Sequence, residues 1–289
     1  MNRRMLAWLA CYAILLAGNV PAPGADTTAE EVEEDNSLAS RFVTPHKPWG
    51  RGYVGGPVRA LFFVHAGHNS GAWNDPGTRL REVVELTQRF DLAAEAILFS
   101  GSGSTWEFHG QKLGENRAAR LLARPYQLYV IAGFPMDKLP ARMQYLIIEQ
   151  VAKGAGLVCC GPGAAEFMTP KRRIQPLPPL LADALPRLEG KNPTDSVTAY
   201  RMGKGRGVWL NYGAPSLTPY HEFSFRRLSE YDYWMMLVGR AVLWAASRDA
   251  EVSVAVAGGQ PAPVRRSDAG PSGEVVLLLK ASQPLAVRV

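Results

Sequence analysis

Four groups of residues carry side chains able to do chemistry. Cys159-Cys160-Gly161 offers a thiol ahead of a glycine. A thiol becomes a nucleophile when its pKa is lowered and a base lies within hydrogen-bond reach. His221-Glu222 supplies an imidazole and a carboxylate that would serve as that base and its orienting partner. His65 and His68 form a His-x-x-His pair, and Glu107 and His109 form a Glu-x-His pair. Imidazoles and carboxylates of this kind either bind a ligand, exchange protons, or hold an ion such as Zn²⁺. The His-x-x-His spacing fixes no common ring direction, so His65, His68, Glu107 and His109 are read as ligand-binding candidates, and no metal or cofactor is assigned. Cys159, Cys160, His221 and Glu222 are the catalytic candidates.

These groups need a frame that brings distant segments to one edge. Val58–Ala66 is almost wholly apolar, as a parallel strand buried on both faces must be. Strand-like runs recur at 92–100, 126–132 and 156–160. Helical periodicity separates them, with an Asp75-Pro76 start before Leu80, Val83, Val84 and Phe90, a short helix at 115–123, and Met143, Leu146, Ile147 and Val151 ahead of a stop at Gly154. Residues 196–202 and 206–212, joined by Gly203-Lys204-Gly205, predict a hairpin. Residues 228–248 predict a long helix covered on more than one side. The alternation predicts an α/β fold, a flavodoxin-like, doubly wound and mostly parallel sheet over 58–248. Runs at 251–257, 274–280 and 285–289 predict a small C-terminal β appendage over 249–289, a candidate surface for self-association. Loops after the first, second and fourth strands would then share the carboxyl edge, where such sheets bind ligands.

The chain has 289 residues, 47% apolar and 20% charged, with a net charge of +6. That is enough for one α/β domain with a small addition, and it excludes a coiled coil or a collagen-like chain. Arg3 and Arg4 precede an apolar run at 6–18 and a small-residue tail that reaches Ala25. Thirteen residues span only ~20 Å as a helix against a hydrocarbon core of ~30 Å. Residues 1–25 are therefore expected to be an export signal, with an uncleaved anchor as the alternative. Residues 26–57 are expected to be a leader and entry segment, its first part a solvated, disordered acidic stretch with six acids and no base between 26 and 40. Residues 41–289 then carry +10, expected to be a basic but scattered surface, with an acidic partner such as a polyanionic glycan or a membrane surface as the alternative. No run interleaves Lys or Arg with aromatics, so nucleic acid is not expected as a partner. No later segment is long and apolar enough to span a bilayer. Cys159 and Cys160, as sequence neighbours, are expected to remain thiols.

Residues 60–64 (ALFFV), 130–133 (VIAG), 154–158 (GAGLV), 203–206 (GKGR) and 243–246 (LWAA) together resemble the class I glutamine amidotransferase-like superfamily, closest in flavour to its exported, ThuA-like members linked to carbohydrate metabolism. The resemblance covers about residues 58–248. It implies the flavodoxin-like fold and a thiol at a Gly-x-Cys-x-Gly elbow with a later His-x-Glu pair. Here Leu157 stands where the first glycine belongs, and His221 and Glu222 are adjacent. The resemblance therefore implies the fold with a degraded catalytic triad. With the export signal, it implies a protein of the periplasm, cell envelope or extracellular space with a binding or accessory role toward a small molecule or glycan, without amidotransfer. The alternative is a hydrolase using a Cys/His or a His-cluster site at the sheet's carboxyl edge.

Overall fold

The computed structural model describes residues 28–37, 56–66, 80–161, 164–182, 196–211, 225–248, 252–256 and 277–281. The helices are α1 (Ala29–Asn36), α2 (Leu80–Arg89), α3 (Lys112–Leu122), α4 (Ala141–Lys153), α5 (Pro179–Ala182) and α6 (Phe225–Ala245). The strands are β1 (Val58–His65), β2 (Leu92–Ser102), β3 (Thr105–Phe108), β4 (Leu128–Ala132), β5 (Gly156–Cys160), β6 (Arg172–Arg173), β7 (Val197–Met202), β8 (Gly205–Leu210), β9 (Val252–Val256) and β10 (Leu277–Ala281).

Strands β1 to β8 form one mixed, mostly parallel sheet in the order β3-β2-β1-β4-β5-β8-β7-β6. The five central strands, β2 to β8 in that order, are mutually parallel, and β3, β7 and β6 are added antiparallel. The protein is thus α/β, as the alternation predicts. β1 lies between β2 and β4, and its side chains from Ala60 to Val64 are almost completely buried. Burial of a large aliphatic or aromatic side chain stabilises by roughly 1.5–3 kcal/mol, so this strand contributes strongly to closing the sheet.

The two faces bury separate cores. Phe62, Val64, Val130, Val158, Cys160 and Val208 meet α2 and α6 on one side. Phe63, Ile97, Ile131, Leu157, Cys159 and Tyr200 meet α3 and α4 on the other. Trp234, Met235, Val238, Ala241, Val242 and Ala245 of α6 are fully buried and form one broad stripe facing the sheet.

Two readings of the sequence change. Beyond the strand-like run at 92–100, where the sequence predicts no further strand before the helix at 115–123, a hairpin forms in which β2 runs on to Ser102 and β3 turns back against it. Within the acidic leader, α1 is helical and docked. Thr28 caps it reciprocally with Glu31, Thr28 Oγ1 accepting the Glu31 N–H at 3.1 Å. Val32 and Asn36, one turn apart, are buried. Asn36 Oδ1 accepts the Leu98 N–H at 2.8 Å, and its Nδ2 donates to the Val32 carbonyl at 2.6 Å. Arg117 of α3 donates to the Ala96 carbonyl and to Glu33 of α1, and Arg120 also pairs with Glu33. Burial disfavours the Arg117 charge, and the Glu95 carboxylate opposes that effect. Glu33 of this segment thus meets two arginines where composition alone predicts only solvent. Of the three C-terminal β-like runs, β9 and β10 pair antiparallel, while 285–289 lies outside the described residues.

Two outcomes follow. Asn36→Ala leaves the Leu98 N–H buried without its acceptor and is expected to cost about 1–3 kcal/mol in urea unfolding; a wild-type midpoint would show that the contact is dispensable. Burial raises the phenols of Tyr129 and Tyr200 to about 12, with the hydrogen bond to Glu166 adding to the effect at Tyr200. A phenol raised above its ordinary value near 10 contributes stability that is complete below pH 10 and lost as pH climbs toward 12. Stability should fall across that window, and Tyr200→Phe should flatten part of the fall. A flat profile from pH 9 to 12 would contradict the assignment.

Candidate functional site

The register decides which candidates share an edge. His65 pairs with Phe99 of β2, and Phe99 pairs with Phe108 of β3. Val64 pairs with Ala132 of β4, and Ala132 pairs with Cys160 of β5. Residues 65, 107–109 and 159–161 therefore lie along one edge, the carboxyl edge of the parallel strands. His68, His221 and Glu222 lie outside the described residues, as do 67–79, 162–163 and 212–224, the segments after β1, β5 and β8.

A shared edge is not a shared pocket. Strands lie about 4.8 Å apart, so β5 is roughly 10 Å from β1 and roughly 19 Å from β3. Cys160 and His109 cannot meet across that span. Side chains also alternate between faces. Cys159 is buried against the α3/α4 layer and Cys160 against the α2/α6 layer, at 1% and 2% exposure. His65 follows Leu61 and Phe63 on the α3/α4 side, so Cys160 faces away from it. Cys159 shares that face, but it sits two residues below His65 in register and two strands across. Burial pushes the Cys159 thiol well up, with Cys160 adding and Lys171 opposing, the reverse of what a nucleophile requires. The left-handed backbone just after β5 belongs to Gly161, at φ 91°, where a sharp nucleophile turn would present its thiol. Cys160 is an ordinary strand residue.

What the edge does assemble is aromatic. The Trp106 ring centroid lies 5.4 Å from His65, 5.6 Å from Phe99 and 5.6 Å from Phe134. Phe99 stacks nearly parallel to Trp106, at 21°, and Phe134 packs 5.0 Å from Phe99. Trp106 Nε1 donates to the Gly103 carbonyl at 3.1 Å, so the hairpin turn holds its own tryptophan. Gly101 permits the approach: a Cβ there would stand 2.2 Å from the Thr105 carbonyl oxygen and 2.8 Å from the Trp106 ring. His65 is 6% exposed, whereas Trp106 is only partly covered. The result is an aromatic floor with a buried imidazole beneath its rim.

The floor sits beside the point where the strand order reverses. From β1 the chain moves outward to β2; from β4 it moves the other way to β5. Loops diverge there, and α/β sheets bind ligands in that crevice. Gly133 and Phe134 leave β4 at this point, and the Gly133 N–H donates to the Cys160 carbonyl at 2.8 Å. Glu107 pairs with Ser100 and lies one residue from Trp106, so strand alternation sends it to the opposite face. His109 follows β3, its N–H bonded to the Leu98 carbonyl at 3.0 Å. The structure thus joins His65 to Trp106 and keeps Glu107 and the cysteines apart from them. Among the described residues no group of three His, Cys, Asp or Glu side chains is placed to hold a metal ion.

The sequence singles out His65; the part played by Trp106, Phe134 and Gly101 comes to notice only through the structure. The signal was present in Gly101-Ser102-Gly103-Ser104-Thr105-Trp106, a glycine-bracketed turn followed by an aromatic. Two cavities lie elsewhere. One of 330 Å³, between Arg59, Glu95, Arg124 and Tyr126, is at the amino ends of β1 and β2, and one of 230 Å³ lies between α1 and α3. Neither touches the aromatic floor. No helix among the described residues is long and apolar enough to cross a membrane. Comparison with protein-family models and with curated proteins finds no match for this chain.

Both thiols are expected to resist iodoacetamide in native buffer and to react once urea unfolds the chain. Rapid labelling of either in the folded protein would return a thiol to the rim. Gly101→Ala is expected to displace Trp106 and to cost stability through the clash with the Thr105 carbonyl, read as a lowered urea midpoint and changed near-ultraviolet dichroism. An unchanged spectrum and midpoint would show that the approach is not required.

Proposed function

We propose that this protein is an exported, amidotransferase-like α/β binding protein that takes a carbohydrate at the carboxyl edge of its sheet and performs no amidotransfer. The observation that carries this reading is the Trp106 ring, partly exposed and braced by His65, Phe99 and Phe134 beside the β1/β4 reversal. A flat apolar ring with polar groups at its margin suits a sugar, whose C–H face packs on the ring while its hydroxyls turn to hydrogen-bonding groups. The parallel strands run second, first, third, fourth, fifth, the flavodoxin-like order, which supports the proposed kinship at the level of fold. The buried placement of Cys159 and Cys160 on opposite faces speaks against a thiol mechanism.

Calorimetric titration with a panel of neutral and acidic oligosaccharides tests the reading. At least one is expected to bind, and Trp106→Ala is expected to weaken it by roughly tenfold or more with the fold intact by circular dichroism. Binding unchanged in that variant, or no binding across the panel, would overturn it. Glutamine hydrolysis that disappears in Cys160→Ser would replace it with an amidotransferase reading.

A further inference from the structure

Arg59 is the one exposed residue of β1. It stands beside Ala93 of β2, and Glu95 stands beside Leu61. Alternation places Arg59, Ala93 and Glu95 on the α3/α4 face, with Leu61 and Ile97. Tyr126, just ahead of β4, packs in the same layer, and Arg124 lies just beyond the end of α3. Together Arg59, Ala93, Glu95, Arg124, Pro125 and Tyr126 line the cavity of 330 Å³ at the amino ends of β1 and β2. Its walls are held from behind. Gln127 Oε1 accepts the Arg59 N–H at 2.9 Å, and the Gln127 N–H donates to the Arg59 carbonyl at 2.9 Å. The Tyr126 ring packs edge-on against Tyr129, with centroids 5.9 Å apart.

The polar side chains of this lining are donors in excess. Tyr126 is 8% exposed, and its buried hydroxyl makes no well-formed hydrogen bond within the protein. Burial and the Glu95 carboxylate raise this phenol, with Arg124 and Arg117 opposing, so it keeps its proton at neutral pH. The Arg124 guanidinium beside it can only donate, which leaves the phenolic proton without an acceptor. Glu95 is the one carboxylate in the lining, and two guanidiniums already share it, Arg117 at 3.4 Å and Arg124 at 3.6 Å. Arg59 is in no ion pair among the described residues. Two guanidiniums against one carboxylate leave the lining with a surplus positive charge.

Guanidiniums and a phenolic proton with no acceptor call for a negatively charged group rich in acceptor oxygens. The volume calls for more than a bare ion. It is roughly ten times the ~30 Å³ share of a water molecule, and it sits at the lower end of the ~300–1,000 Å³ of small-molecule sites. We propose that this cavity binds a small organic oxyanion, a carboxylate or phosphate ester on a compact apolar body. Arg59 and Arg124 grip the anionic group, the Tyr126 hydroxyl donates to it, and the body rests on Ala93 and Pro125. A cationic ligand would find its only carboxylate taken. The site is separated from His65 by six residues of β1, about 20 Å, so it stands apart from the carbohydrate reading of the opposite edge.

Ligand-observed NMR titration of the full chain with benzoate, phenyl phosphate, benzyl alcohol and benzylamine tests the proposal. Benzoate or phenyl phosphate is expected to bind at least about fivefold more tightly than the alcohol or the amine, and the tighter of the two tells carboxylate from phosphate. Arg59→Ala and Arg124→Ala, both at exposed positions, should each weaken that anion by about fivefold or more, and Tyr126→Phe should weaken it several-fold. Ala93→Phe, which fills the cavity from an exposed position, should abolish binding with the fold intact by circular dichroism. Arg142→Ala removes an exposed cation from α4 and should change nothing. Binding of neither anion at millimolar concentration, or equal binding of benzylamine, would overturn the proposal. So would an affinity that Arg59→Ala leaves unaltered, or an equal loss in Arg142→Ala.

Discussion

The structure depends on β1 being buried from both sides. A strand hydrogen-bonded to two neighbours and covered by helices on both faces can carry no polar side chain along its length without a buried partner. Residues 60–64 meet that demand, and the first imidazole arrives at His65, where the strand reaches the carboxyl edge. Packing therefore separates the core from the chemistry by a single residue. A similar rule acts on β4 and β5, which, the Tyr129 phenol apart, stay apolar up to Ala132 and Cys160 and are followed by Gly133 and Gly161. Every polar group available to a ligand on these strands is displaced into the segments that follow them.

The central strands, α4 and the β7–β8 hairpin were legible because each obeys one periodicity over its whole length. β1, β4 and β5 are uninterrupted apolar runs, and α4 repeats buried residues at 143, 147 and 151. Elements whose reason for existing lies elsewhere in the chain were not legible. α1 has the composition of a solvated tail; its stability comes from Asn36 meeting β2 and from Glu33 meeting two arginines more than eighty residues away. β3 is four residues long and follows glycines that read as loop, and only its pairing with β2 makes it a strand.

The candidate site shows the same division. Position along a strand told which residues end at the carboxyl edge, so the placement of His65, Glu107 and Cys160 along one rim followed from the pattern. Lateral order and facing did not. The four strand steps between β3 and β5, and the opposite faces of Cys159 and Cys160, come from strand order and register, which composition does not encode. Trp106 became prominent for the converse reason: the short hairpin that carries it brings it back over the end of β1.

The two ends of the sheet are finished by different means. At β2, below the short β3, the Leu98 amide and the Ala96 carbonyl are taken by side chains of α1 and α3, which cover this stretch of the edge. At β6 the edge is two residues long and cationic.

The adjacent cysteines have a practical consequence. One sulfur belongs to each helical layer, on a single stretch of backbone, so they form a matched pair of internal reporters. If the α3/α4 layer loosens while the α2/α6 layer holds, only one of the pair becomes reachable. The order in which they do so distinguishes peeling of one layer from collapse of the whole sheet.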